Sequence, residues 1–108
     1  MSLIDNLEKM LADGKDDAML RFGLGNAYFQ GKEYRKAAEH LRKALEFNQG
    51  YSAAWKLLGR ALVELGERET AKETFERGIE HAERQGDKQT VKEMHVFLKR
   101  IGKHKEGG

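Results

Sequence analysis

Residues 55–78, WKLLGRALVELGERETAKETFERG, decide the fold, because their pattern of apolar and small positions recurs thirty-four residues earlier in residues 21–44, RFGLGNAYFQGKEYRKAAEHLRKA. Leu24-Gly25 falls on Leu58-Gly59, Ala27 on Ala61, Ala37 on Ala71 and Glu39 on Glu73. Apolar character is kept where identity is lost, in Tyr28 with Leu62, Leu41 with Phe75 and Leu45 with Ile79. A fixed period of this length marks an architecture of stacked units, each too small to bury its apolar face alone. Within a copy, Leu20, Leu24, Ala27 and Tyr28 recur at i, i+4, i+7 and i+8, and Ala37, Leu41, Ala44 and Leu45 do the same. That spacing is helical, with no strand alternation. Gly31-Lys32 and Leu65-Gly66 separate the two helices of each copy. Asn48-Gln49-Gly50 and Gln85-Gly86 close the second helices, with glycine where a left-handed cap is expected.

The flanks read as partial copies. Ser2-Leu3-Ile4-Asp5 is a start of capping-box type, and Leu3, Leu7, Met10 and Leu11 form one apolar stripe that stops at Asp13-Gly14. Moved by one period, the stripe lands on Ala37, Leu41, Ala44 and Leu45, so residues 3–13 imitate a second helix without its first. Asp87 is placed to cap a helix running to about Ile101, with Val91, Met94, His95, Phe97, Leu98 and Ile101 available for burial. Gly102 to Gly108 reads as a flexible basic tail. The expectation is one all-α domain of about six antiparallel helices over residues 1–108: a half-repeat at 3–13, repeats at 18–51 and 52–85, a closing helix at 87–101 and a tail at 102–108.

Trp55-x-x-Leu58-Gly59-x-x-Leu62, followed by Ala71, Phe75 and Gly78, resembles the signature of the tetratricopeptide repeat (TPR) family. The first copy shows Arg21-x-x-Leu24-Gly25-x-x-Tyr28 and then Ala37, Leu41 and Ala44. The resemblance implies a right-handed α-α superhelix in which Gly25 and Gly59, with Ala37 and Ala71 facing them, let paired helices approach closely. Two departures stand out. Arg21 replaces the signature tryptophan, and Gln49 and Glu83 stand where the family places proline. Without proline no ring clash stops the second helix, so Gly50 and Gly86 are expected to set its end.

Composition excludes several functions. The 108 residues contain no cysteine, which removes disulfides, thiolate zinc sites and a cysteine nucleophile and points to a cytoplasmic setting. Twenty Lys/Arg against eighteen Asp/Glu is too balanced for a dedicated nucleic-acid binder. No apolar run approaches a membrane span, and the first residues lack the pattern of a signal peptide. His40, His81, His95 and His104 form no i, i+4 pair with one another, no phosphate-binding glycine loop occurs, and Ser2, Ser52, Thr70, Thr74 and Thr90 are the only hydroxyls of their kind. Neither catalysis, nor metal, nor cofactor is expected.

By resemblance, the first helices line a concave groove through the second, fifth, ninth and twelfth places of each repeat. Carried over one position at a time, these are Met19, Phe22, Asn26 and Phe29 in the first copy, then Ala53, Lys56, Arg60 and Val63 in the second. The closing helix adds Thr90, Met94 and Phe97. Such a face suits a peptide or helix of another protein, with Lys56 and Arg60 pairing a carboxylate and Asn26 holding the backbone. The alternative is a self-associating homodimer in which Phe22, Phe29, Met94 and Phe97 are covered and no peptide binds. The two-carboxylate clamp of chaperone-binding relatives is incomplete, since Phe22 and Leu57 occupy places of its lysine and asparagine. Charge also divides along the chain. Residues 1–17 carry five acids against Lys9 and Lys15, whereas residues 88–106 are basic, an arrangement suited to head-to-tail pairing that added salt weakens.

Overall fold

Local chemistry sets each helix start. The Ser2 hydroxyl accepts from the Asp5 amide at 3.1 Å while the Asp5 carboxylate accepts from the Ser2 amide, so α1 (Leu3–Ala12) begins in a complete capping box. Asp17 accepts from the Leu20 amide at 2.8 Å and starts α2 (Ala18–Gln30). Then follow α3 (Tyr34–Phe47), α4 (Ser52–Glu64), α5 (Arg68–Gln85) and α6 (Lys88–Gly107), the last begun by Asp87 accepting from the Thr90 amide at 3.2 Å. This is a computed structural model that describes residues 2–107, with side chains from residue 2 to residue 102, and among the described residues there is no strand.

The hairpin turns share one device. Lys32 (φ 62°) and Gly66 (φ 79°), one period apart, both take the left-handed conformation. The next amide then reaches back to close the first helix, from Glu33 to the Tyr28 carbonyl and from Glu67 to the Leu62 carbonyl, each at 2.9 Å. Gly86 (φ 74°) ends α5 in the expected left-handed cap. Gly50 does not serve in that way. Asn48, in extended conformation, ends α3 and accepts from the Gly50 amide at 3.0 Å, which completes the turn without a positive φ at residue 50. The closing helix also differs from expectation, continuing through Gly107 rather than ending at Ile101. A single glycine at 102 costs a helix only about 1 kcal/mol, and no proline follows to stop it.

Packing proceeds hairpin on hairpin. α2 pairs with α3, α4 with α5, and α6 closes against α5 and α4, giving a slab of 46 × 31 × 18 Å. Leu24, Leu41, Leu62, Phe75 and Met94 are the largest fully buried side chains. A Cβ on Gly25 would meet Leu41 Cγ at 2.6 Å, and one on Gly78 would meet Met94 Sδ at 2.8 Å, so these glycines set the helix separation. Short polar ties join successive units: the Trp55 indole donates to the Gln49 carbonyl at 2.7 Å, and the Ser52 hydroxyl donates to Asp87 at 2.7 Å.

Candidate functional site

The first helices α2, α4 and α6 lie side by side and bring Phe29, Arg60 and Phe97 together, one residue from each. The Arg60 guanidinium carbon sits 4.8 Å from the centroid of Phe29 and 5.3 Å from that of Phe97. A planar cation suits the negative faces of two rings, and stacking leaves its edge N–H groups available to an acceptor. Arg60, Val63 and Phe97 line one cavity of about 380 Å³ together with Glu64, Arg68, Arg100 and Ile101. Among the described residues, none of its three arginines enters an ion pair. The cavity therefore brings three guanidinium groups together with the apolar Val63, Phe97 and Ile101, the exposed Glu64 also being in its lining.

The other residues of the expected face divide. The Lys56 ammonium donates to Glu93 at 2.8 Å, so its charge is already met within the chain. That hydrogen bond, helped by Gln89, holds the Glu93 carboxyl below the usual carboxylate range. Phe22 stacks on Tyr51 at 4.9 Å, and Asn26 is exposed between these groups and the Arg60 stack. Met19, 77% exposed, stands apart at the α1–α2 edge beside Met10 and Leu20. Met94 is a correction: it is fully buried against Gly78 and belongs to the core, as does Thr90. α6 enters at a phase that turns Glu93 and Phe97, four residues apart, toward the groove and Met94 toward α5. Phe97 in turn stacks on buried Phe75 at 5.5 Å, so much of the apolar stripe is covered by the chain itself.

Sequence reasoning missed Glu93, Arg68 and Arg100. Glu93 was within reach of helical spacing, being one turn before Phe97 on the same face. Arg68 carries no such signal, because it comes from the start of a second helix and reaches the cavity only through the fold.

The Tetratricopeptide repeat family model matches residues 29–89, more than half of the chain. The chain belongs to the tetratricopeptide repeat family. It is 48% identical over 99 residues to the TPR repeat-containing protein PA0015 of Pseudomonas aeruginosa, covering 92% of this chain and 94% of that protein. The solution structure of protein BPP2914 from Bordetella parapertussis superposes with a TM-score of 0.86 at 42% identity, over 96% of this chain and 90% of that one. The first TPR of Spaghetti, solved bound to an HSP90 peptide, is 27% identical with a TM-score of 0.78, over 94% of this chain and 75% of that one.

As a TPR protein, the chain departs from the family signature at Arg21. Where the second repeat stacks Trp55 on His81 at 5.4 Å, the first builds a polar chain. Arg21 donates to Asp16 at 2.7 and 2.9 Å and meets His40 Nδ1 at 3.0 Å, while Tyr28 donates to Glu8 at 3.0 Å. Glu8 also approaches His40 Nε2 at 3.6 Å, so the network fastens α1 to the first repeat. Burial and the neighbouring Arg21 cation outweigh Glu8 and hold His40 below its ordinary pKa. Among the described residues no group of three His, Asp or Glu side chains converges to hold a metal, and no helix is long and apolar enough to cross a membrane.

Proposed function

We propose that this TPR module binds a segment of a partner protein along the face formed by α2, α4 and α6, and that it performs no catalysis. The observation that carries the reading is Arg60, held between Phe29 and Phe97 and without a carboxylate partner among the described residues. A preorganised guanidinium stacked between aromatic rings favours a peptide acid group followed or preceded by an apolar side chain. Asn26, exposed nearby, supplies a side-chain amide for the peptide backbone. Lys56 is the weaker candidate for the acid, since a ligand must first displace Glu93. The peptide-bound Spaghetti relative supports a peptide as the class of ligand.

Selection from a displayed library of random peptides tests the reading. The expected outcome is enrichment of sequences that pair an acidic group with apolar neighbours. Their affinity should fall roughly tenfold or more for Arg60→Glu, as loss of a charge-assisted hydrogen bond requires. Lys56→Ala should change it far less. Absence of enrichment, or equal binding to Arg60→Glu, would overturn the proposal.

A further inference from the structure

The internal repeat shows how a helix sits in a groove of this chain. α2 lies against α3 and α4, with Gly25 pressed on Leu41 and Phe22 stacked on Tyr51. In that filled groove Leu41, Ala44 and Ala54 are fully buried. One period earlier the same positions are Leu7, Met10 and Leu20, between α1 and α2, where Leu20 is already buried and Leu7 half-buried, and among the described residues no helix other than α2 packs on α1. Met10 is 40% exposed there and Met19 77%, beside an open cavity of about 680 Å³.

The opposite edge has the complementary lack. α6 occupies the place of a first helix, packed on α5 and α4, and among the described residues no second helix lies on its outer side. Val96 is 47% exposed there, and Val91 is half-buried at a cavity of about 440 Å³ shared with Lys88 and Lys92. Charge follows the same division. Asp16 and Asp17 line the cavity at the first edge together with Lys15, Asp16 being paired with Arg21, whereas Lys88, Lys92 and Lys99 are exposed along α6.

We propose that the α1–α2 edge of one molecule seats on the α6 edge of a second copy, head to tail, with α6 supplying the first-type helix that the α1–α2 groove accepts. A second copy is favoured over a foreign helix because one chain carries both halves of the contact, an open groove for a first-type helix and a first-type helix with an open outer side, with opposite charge excess on the two edges. Such a contact joins two different surfaces, so it does not close on itself and association grows with concentration.

Light scattering on the full chain, from micromolar to millimolar concentration and at low and high salt, tests this. The expected mass rises beyond that of a dimer at low salt and falls back with added salt. Met19→Glu and Val96→Glu, both at exposed positions, each remain monomeric alone with the circular dichroism of the wild type. Mixed in equal amounts they form a dimer and nothing larger, because each retains one intact edge. A wild type that stays monomeric throughout would overturn the proposal. So would a single variant that still associates, or a mixed pair that does not.

Discussion

Arg60 lies between the rings of Phe29 and Phe97, so a single side chain of α4 bridges α2 and α6 through two residues sixty-eight apart in sequence. Each contact of this kind contributes about 0.5–1 kcal/mol where partly exposed. Arg60→Ala should therefore destabilise the fold by about 1–2 kcal/mol, read from the urea midpoint, before any ligand is considered. Arg60→Lys should fall between the two, because an ammonium keeps the charge and loses the planar stacking. An unchanged midpoint for Arg60→Ala would mean that the stack does not hold the first helices together.

Gly59 faces the ring of Phe75, and a Cβ there would meet Phe75 Cζ at 2.5 Å and Cδ1 at 2.7 Å. The sequence places Ala71 opposite this glycine; the structure gives the contact to Phe75, which is fully buried and cannot swing into solvent. Gly59→Ala should cost about 1–3 kcal/mol by overpacking. The variant with both Gly59→Ala and Phe75→Leu should lose less than the sum of the two single changes, since the smaller side chain gives the methyl room. Additive losses would show that the ring is not the obstacle.

What the sequence made legible was periodic. Thirty-four-residue identity between Leu24-Gly25 and Leu58-Gly59 located both hairpins, because close packing restricts those positions to a few residue types. The face was legible only in part. Phe29 and Arg60 lie inside regular repeats, where helical spacing carries a side chain to its place, whereas Met94 lies in a helix that follows an eighteen-residue α5 in place of the fourteen-residue α3. The change in spacing rotates the register, and the repeat rule then points the wrong residue at the groove. Lys56 shows a different limit: its position is as expected, and its availability depends on Glu93, thirty-seven residues away.

His40 connects stability to pH. Its pKa is lowered from 6.5 by burial and by Arg21, so the folded chain binds a proton less readily than the unfolded one. Stability from this group is fully present above the unfolded value and is lost as pH falls through about 6.5 toward the folded value. Asp16, Asp87 and Glu93, each held low by hydrogen bonds, lose their contributions only further down, in the carboxylate range. Urea midpoints at pH 7.5 and pH 5.5 should therefore differ in the wild type and differ less in His40→Gln. Equal slopes for both proteins would place the pH dependence elsewhere.

Lys32 and Gly66 perform the same turn with different residues, at φ 62° and φ 79°. A side chain in the left-handed region costs roughly 1–2 kcal/mol, which Lys32 bears and Gly66 avoids. Glycine in turn loses more freedom on folding, a penalty of about 0.4–1 kcal/mol. The difference leaves Lys32→Gly stabilising by about 0.5–1 kcal/mol. Gly66→Ala should destabilise by a similar amount, and since nothing lies within 4 Å of a Cβ at Gly66, that loss is the backbone's own. Thermal unfolding of the two single variants beside the wild type checks both signs. A fall in midpoint for Lys32→Gly would mean that the lysine side chain stabilises the turn by more than its conformation costs.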